Sequence, residues 1–398
     1  MKPITVIDSV MGAGKTTYAI EMINKAPETT RFIYITPFLS EIERVISATT
    51  NRDFMQPTTN VTGGSKLTSL KRLVENGEDI AATHALFEMA DDELRDLLRE
   101  NNYTLILDEV MNVVDTTDVS ADDMRILIER RLVEIVNNRV TWIAPHYEYE
   151  RGVFDNIRLL AEAGTLYYHR DKFLIYAFPP SIFDVFTEAY VLTYLFDAQL
   201  MRYYFDLFDI PYVKQAVKDG QIVEYDVRQE KREELFALIE LYEGTHNKHG
   251  EAPTAFSKSW LQRKSDAEID DIKASMYSFT RRIANAKANE VLWTTVKDFR
   301  IPLKGKGYAK GFLACNARAT NEYADRTTVL YMYNRYMNPR ERAFFQDHHV
   351  TVNEDMLALS DLLQWLWRSQ IRDGKRINAY IPASRMRKLL REWSEYRI

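Results

Sequence analysis

Near the N-terminus an apolar run, Ile4 to Ile7, is followed by Gly12, Ala13, Gly14, Lys15, Thr16 and Thr17, and then by a helical pattern. This is the second half of a phosphate-binding loop, GxGK[ST], in the strand-to-helix context that its chemistry requires. Glycines let main-chain N–H groups approach phosphates, Lys15 neutralises the β and γ charges, and the Thr16 hydroxyl can hold Mg²⁺. Ser9 stands where the pattern usually begins with glycine. Further on, Tyr103 to Val110 reads YTLILDEV, an apolar strand ending in adjacent carboxylates. A strand end of this kind puts Asp108 where it binds Mg²⁺ through water, and Glu109 where it polarises an attacking water. The two segments together point to ATP and Mg²⁺ as cofactors and to hydrolysis, since a small-molecule kinase needs no water-activating Glu at this place.

A second set of chemical groups lies near the C-terminus, in LLQWLWRSQIRD. Gln364, Arg368 and Arg372 are spaced i, i+4, i+8, so a continuous helix over 355–372 would line them on one face. Planar, permanently charged guanidinium groups on such a face suit an arginine finger that stabilises the transferring γ-phosphate. Between residues 256 and 310 the chain carries 12 Lys or Arg against 6 acids, with Trp260, Tyr277, Phe279, Trp293 and Tyr308 interleaved. Cations that neutralise phosphates and aromatics that stack bases make this a candidate strand track, with Lys258, Trp260, Lys304 and Lys306 as its contacts.

The elements that must position these groups follow from the apolar pattern. Short apolar runs at Ile4–Ile7, Phe32–Ile35, Ile80–Ala82 and Thr104–Leu107 alternate with helical segments near 16–25, 39–47 and 91–99, which predicts a parallel sheet in an α/β domain. Residues 111–189 break the alternation. They predict a helix over 121–137 and a hairpin of Leu166–His169 with Phe173–Phe178, an inserted helical and hairpin element ahead of a strand, Tyr190–Phe196, that closes the sheet. After residue 212 a second α/β pattern begins, with helices over 232–243, 265–287, 355–372 and 384–395 and strands near 311–314, 328–333 and 377–381. The expected domains are therefore 1–212 and 213–398.

Composition agrees with a large folded chain. Of 398 residues 46% are hydrophobic, and 52 Lys plus Arg against 58 Asp plus Glu leave a formal charge of -6. That total hides a division, because residues 1–200 carry 19 basic and 31 acidic side chains and residues 201–398 carry 33 and 27. An acidic half followed by a basic half suggests a polyanion partner for the second. One cysteine, Cys315, excludes an internal disulfide, seven scattered histidines leave no zinc-ligand spacing, and no apolar run approaches a membrane span. The expectation is a soluble cytoplasmic protein, in the host cytoplasm if phage-encoded, with no membrane partner.

The loop and the DEV segment resemble those of phage and viral superfamily 2 helicases, a DEAD/DEAH-like group that includes the herpesvirus origin-binding helicases. That resemblance implies two RecA-like P-loop NTPase domains with ATP and Mg²⁺ in the cleft between them. It also implies roles for further residues. Tyr34 to Glu41, YITPFLSE, looks like motif Ia, and Thr83 with His84 looks like the Thr-His pair ahead of the DEV strand, so Thr36, Pro37 and Thr83 would contact the strand. Val191 to Gln199, with Thr193, looks like a divergent motif III. Cys315 to Glu322, CNARATNE, suits motif V, with Arg318, Thr320 and Asn321 as contacts. Residues 362–373 resemble motif VI, although the family's arginines are usually three apart rather than four. The implied activity is an ATP-dependent helicase or translocase on single-stranded or forked nucleic acid, DNA favoured, in phage replication or recombination beside other replication proteins. The alternatives are a DNA-stimulated ATPase that binds or remodels DNA without processive unwinding, and a P-loop small-molecule kinase.

Overall fold

The computed structural model describes residues 2–59, 65–117, 119–145, 149, 152–170, 173–315 and 322–398. The strands, in chain order, are β1 (Ile4–Asp8), β2 (Arg31–Thr36), β3 (Phe54–Met55), β4 (Asp79–Thr83), β5 (Tyr103–Asp108), β6 (Val114–Thr116), β7 (Val133–Val136), β8 (Arg139–Trp142) and β9 (Leu166–His169). They continue as β10 (Phe173–Ala177), β11 (Glu188–Thr193), β12 (Tyr212–Lys218), β13 (Gln221–Glu224), β14 (Ile239–Leu241), β15 (Val291–Thr295), β16 (Thr328–Met332) and β17 (Ile377–Tyr380).

The first sheet has eight strands in the order β13-β12-β1-β11-β5-β2-β4-β3. All of its pairings are parallel except that of β12 with β13. Strands buried on both faces read as continuous apolar runs, and FIYI of β2 and LIL of β5 are of this kind. Ile7, Ile23, Tyr34, Val45, Ile106 and Leu192 share one buried cluster, which packs the helices Lys15–Lys25 and Leu39–Ala48 on the sheet. The expected closing strand instead lies inside the sheet. As β11 it pairs with β1 on one side and β5 on the other. The sheet also runs beyond residue 212, through β12 and β13 to Glu224.

Residues 114–177 form a sheet of their own, five antiparallel strands in the order β6-β10-β9-β8-β7. The hairpin β9–β10 is where the pattern placed it. The helix expected over 121–137 stops at Glu129, and the remainder is the hairpin β7–β8. Its turn residues Asn137 and Asn138 both have positive φ, 50° and 64°. A two-residue turn with this sign matches the twist of the strands, and Asn tolerates it better than most residues. Met124, Leu127, Val140, Ile157, Leu166 and Leu174 give this insertion its own core. A later segment packs here too, since the carboxylate of Asp347 accepts from Arg170 Nε at 2.7 Å and Nη2 at 2.6 Å, with His169 Nε2 at 3.0 Å.

By compactness the chain divides into Met1–Ser9, Ala13–Tyr225 and Asn338–Val352 as one unit, and Val10–Gly12, Asp226–Met337 and Asn353–Ile398 as the other. The second unit holds a four-stranded parallel sheet, β14-β17-β16-β15, in which every residue of β15 and β16 is buried. Three expectations fail here. The helix from residue 232 ends at Phe236 and leads into β14, the stretch 311–314 contributes a single bridge from Phe312 to Trp293, and the helix from 354 ends at Leu366. Among the described residues no helix is long and apolar enough to cross a membrane.

Candidate nucleotide site

Pairing of β1 with β11 and of β11 with β5 sets Asp8 beside Thr193 and Leu192 beside Asp108, so the phosphate-binding loop and the carboxylate pair leave the same edge of one sheet. Ligands of open α/β sheets sit at this edge, beyond the carboxyl ends of the strands. Gly12 and Gly14 have φ of 86° and 88°, a left-handed conformation that costs glycine little and other residues more. Gly14 caps the helix Lys15–Lys25, and Lys15 Nζ donates to the Ser9 carbonyl at 2.6 Å. The Ser9 that replaces glycine is buried, and its Oγ accepts from Val217 N at 2.8 Å, fastening the loop to β12.

Asp108 ends β5 and is 8% exposed. Thr16 Oγ1 donates to its Oδ2 at 3.4 Å, and Tyr34 Oη donates to the same oxygen at 2.7 Å. Thr16 and Asp108, expected from separate motifs to share a metal, are thus brought together. A hydroxyl beside a carboxylate is a donor set that fits Mg²⁺, a hard cation that takes oxygen ligands and keeps several waters. Burial, and next the neighbouring charge of Glu109, push the Asp108 carboxyl up to about 6, against the opposing effect of the Tyr34 hydrogen bond. Burial likewise raises the Tyr34 hydroxyl well above its ordinary range. Glu109 has φ 63°. A left-handed non-glycine residue costs free energy, and its main-chain N–H is held by the Leu192 carbonyl at 2.9 Å. Ala13 is half-buried and Thr17 exposed at the head of the helix.

Three residues support this site from outside the glycine-rich loop and the DEV segment, two of them, Tyr34 and His84, within the YITPFLSE and Thr-His segments and the third, Asp8, at the end of β1. Tyr34 is the first, a fully buried tyrosine whose hydroxyl needs a partner and finds it in Asp108. His84 is the second, with Nε2 at 3.0 Å from the Asp108 carbonyl oxygen. Asp8 is the third, its buried carboxylate accepting from Leu195 N at 2.8 Å and Phe196 N at 2.9 Å. Thr193, the proposed remnant of motif III, is buried with no hydrogen bond to its Oγ1.

The nucleic-acid residues fare differently. Thr36 is 0% exposed at the end of β2, so its side chain cannot meet a strand. Thr83 Oγ1 accepts from Leu86 N at 3.3 Å and caps the short helix that follows, while Pro37 is half-buried beside the exposed Phe38. Of the interleaved aromatics Phe279, Trp293 and Tyr308 belong to the core. Trp260 is half-buried, with Lys264 Nζ 4.4 Å from its ring centre. Lys258 pairs with Asp298 at 2.9 Å, and Lys304 and Lys306 are exposed. Arg318, Thr320 and Asn321 lie outside the described residues.

The arginine helix is the largest correction. Its last turn tightens, with Arg368 N bonded to the Trp365 carbonyl at 3.1 Å, and Ser369 Oγ takes the Leu366 carbonyl at 2.7 Å. Ser369 N also donates to that carbonyl, at 3.0 Å, so the terminal carbonyls are satisfied by i→i+3 bonds where the helix stops. Gln364 is therefore on the helix, with Nε2 at 3.5 Å from Ser360 Oγ, Arg368 is in the turn, and Arg372 is in a separate 3₁₀ segment, Gln370–Asp373. The three do not share one helix face.

Residues 114–176 match the YonV middle domain and 233–394 the YonV C-terminal Rossmann-like domain. The chain is 41% identical over 413 residues to the SPbeta prophage-derived uncharacterized protein YonV of Bacillus subtilis (strain 168), covering 99% of each. Among solved structures S. tokodaii Xpd4 has a TM-score of 0.52 at 12% identity, over 98% of this chain and 94% of that one. At that identity the likeness shows the fold, two RecA-like domains, and the first carries the five-stranded insertion.

Proposed function

The chain belongs to the YonV family, and from that premise we propose that it is an ATP-dependent nucleic-acid helicase or translocase. The observation that carries the reading is the meeting of Lys15, Thr16 and the Asp108–Glu109 pair at one edge of a parallel sheet. Gly12 to Thr17 would cradle the phosphates through main-chain N–H groups, and Lys15 would neutralise the terminal ones. Mg²⁺, held by Thr16 and Asp108, would supply charge neutralisation at the β and γ oxygens. Glu109 would orient the attacking water, and its strained main chain fixes the direction its side chain leaves the strand. Arg368 or Arg372 would stabilise the transferring phosphoryl group, an assignment that rests on the motif likeness and not on a shared helix face. Lys304 and Lys306 would contribute phosphate contacts in the second unit. The prophage origin of the B. subtilis relative supports a role in phage DNA metabolism.

A second reading is a DNA-stimulated ATPase that remodels DNA without processive unwinding. It is favoured by the burial of Thr36, Phe279, Trp293 and Tyr308, which removes much of the expected strand track. The deciding experiment measures ATP hydrolysis with and without single-stranded DNA or RNA, for wild type and Lys15→Ala, alongside separation of a forked duplex. Stimulation with strand separation supports the helicase, and stimulation alone supports the remodeller. Hydrolysis indifferent to both polymers refutes both.

A further inference from the structure

Asp108 is held through both its main chain and its carboxylate, and one of these contacts has a consequence for metal binding. His84 Nε2 is 3.0 Å from the Asp108 carbonyl oxygen, and the following N–H, that of Glu109, bonds the Leu192 carbonyl at 2.9 Å. The main chain on this side of the carboxylate is thus pinned. What remains is rotation of the side chain, in which the carboxylate's last torsion is a broad twofold freedom. Tyr34 removes it. Its ring is fully buried in β2, and its hydroxyl donates to Oδ2 at 2.7 Å, the same oxygen that Thr16 Oγ1 reaches at 3.4 Å. No hydrogen bond among the described residues reaches Oδ1.

We infer that Tyr34 is a positioning residue for the divalent cation: by holding Oδ2 it fixes the carboxylate plane and leaves Oδ1 as the oxygen presented to a metal bound with Thr16. The inference rests on the nucleotide-hydrolysis reading and adds to it a residue that lies outside the loop and the DEV segment. A ligand's outer hydrogen-bond partner orients it, and its loss typically costs about 10- to 100-fold in metal affinity or activity. A tyrosine that merely satisfied its own hydroxyl in the core would affect folding and leave metal dependence alone.

The test replaces Tyr34 in the full chain by Phe, which deletes only the hydroxyl, and by Met, which fills the space differently and also lacks the donor. Binding of a fluorescent ATP analogue is titrated at a series of Mg²⁺ concentrations, and Mn²⁺ uptake in the presence of the analogue is followed by electron paramagnetic resonance. Circular dichroism and nucleotide affinity without metal report the fold. We expect unchanged metal-free affinity, a Mg²⁺ midpoint raised about tenfold or more, and wild-type affinity regained at high Mg²⁺. A folded variant of either kind with the wild-type Mg²⁺ and Mn²⁺ midpoints overturns the inference while leaving the hydrolysis reading intact. A wild-type protein whose nucleotide binding ignores Mg²⁺ overturns both.

Discussion

Replacing Asp108 by Asn should make the metal-free protein more stable at neutral pH while abolishing nucleotide hydrolysis. The wild-type carboxyl is buried beside Glu109 and titrates at about 6 instead of the ordinary 3.8. An acid whose folded value is raised holds its proton more tightly in the native state. Its contribution to stability is therefore complete below the unfolded value, declines as pH rises, and is gone above the folded value. At about 1.4 kcal/mol for each pH unit, the gap from 3.8 to about 6 corresponds to a loss of about 3 kcal/mol at pH 7.5. An amide keeps an oxygen for the Tyr34 and Thr16 hydroxyls and carries no charge, so the variant avoids that loss. Urea denaturation without Mg²⁺ or nucleotide should show the variant more stable by about 3 kcal/mol at pH 7.5 and by about half that at pH 5. Adding MgATP should stabilise the wild type and leave the variant almost unmoved, because only a state that binds ligand gains from it. A variant no more stable than wild type at pH 7.5 would refute the account of Asp108 as a carboxylate strained by burial and relieved by a cation.

Other perturbations separate the remaining roles. Lys15→Ala should keep the fold by circular dichroism and lose ATP turnover by at least about a hundredfold, since Lys15 is half-exposed and its Nζ donates to the Ser9 carbonyl of the loop itself. Arg368→Ala and Arg372→Ala, assayed side by side, should differ sharply: the finger is worth on the order of 10³ to 10⁵ in rate, about 4 to 7 kcal/mol, and full turnover in both variants removes the assignment. Lys304→Ala with Lys306→Ala should weaken single-strand binding and reduce the slope of log affinity against log salt by about 1.4, with no change in thermal stability. Trp293→Ala should instead cost about 3 to 5 kcal/mol of stability, visible in a denaturant melt, because the ring is core and not a stacking platform.

Legibility followed the range of the interactions. The loop from Gly12 to Thr17 and the strand ending in Asp108 and Glu109 could be read because each is a local pattern whose geometry is set by adjacent residues. The alternation of apolar runs and helices up to residue 110 was legible for the same reason. The hairpin β7–β8 carried a local sign as well, the Asn137–Asn138 pair, but it follows a helix whose apolar period continues into the first strand and hides the boundary. The helix through Arg368 failed because a spacing of four residues says which side chains would share a face only while the helix lasts, and it gives way after Leu366 to a tighter turn closed by i→i+3 bonds.

By itself the sequence determined that a glycine-rich GxGKT loop and an adjacent Asp-Glu pair are present, and that both lie at strand ends in an α/β chain. Only the tertiary structure decided how they meet: a strand from residues 188–193 inserts between theirs, and a tyrosine 74 residues before Asp108 supplies the hydrogen bond that orients it. It also decided which candidates for strand contact are core, including Thr36, Trp293 and Tyr308. The physical reason is that residue type and spacing set local geometry, whereas burial and strand neighbours depend on which distant segments pair, and side-chain chemistry alone does not encode that pairing.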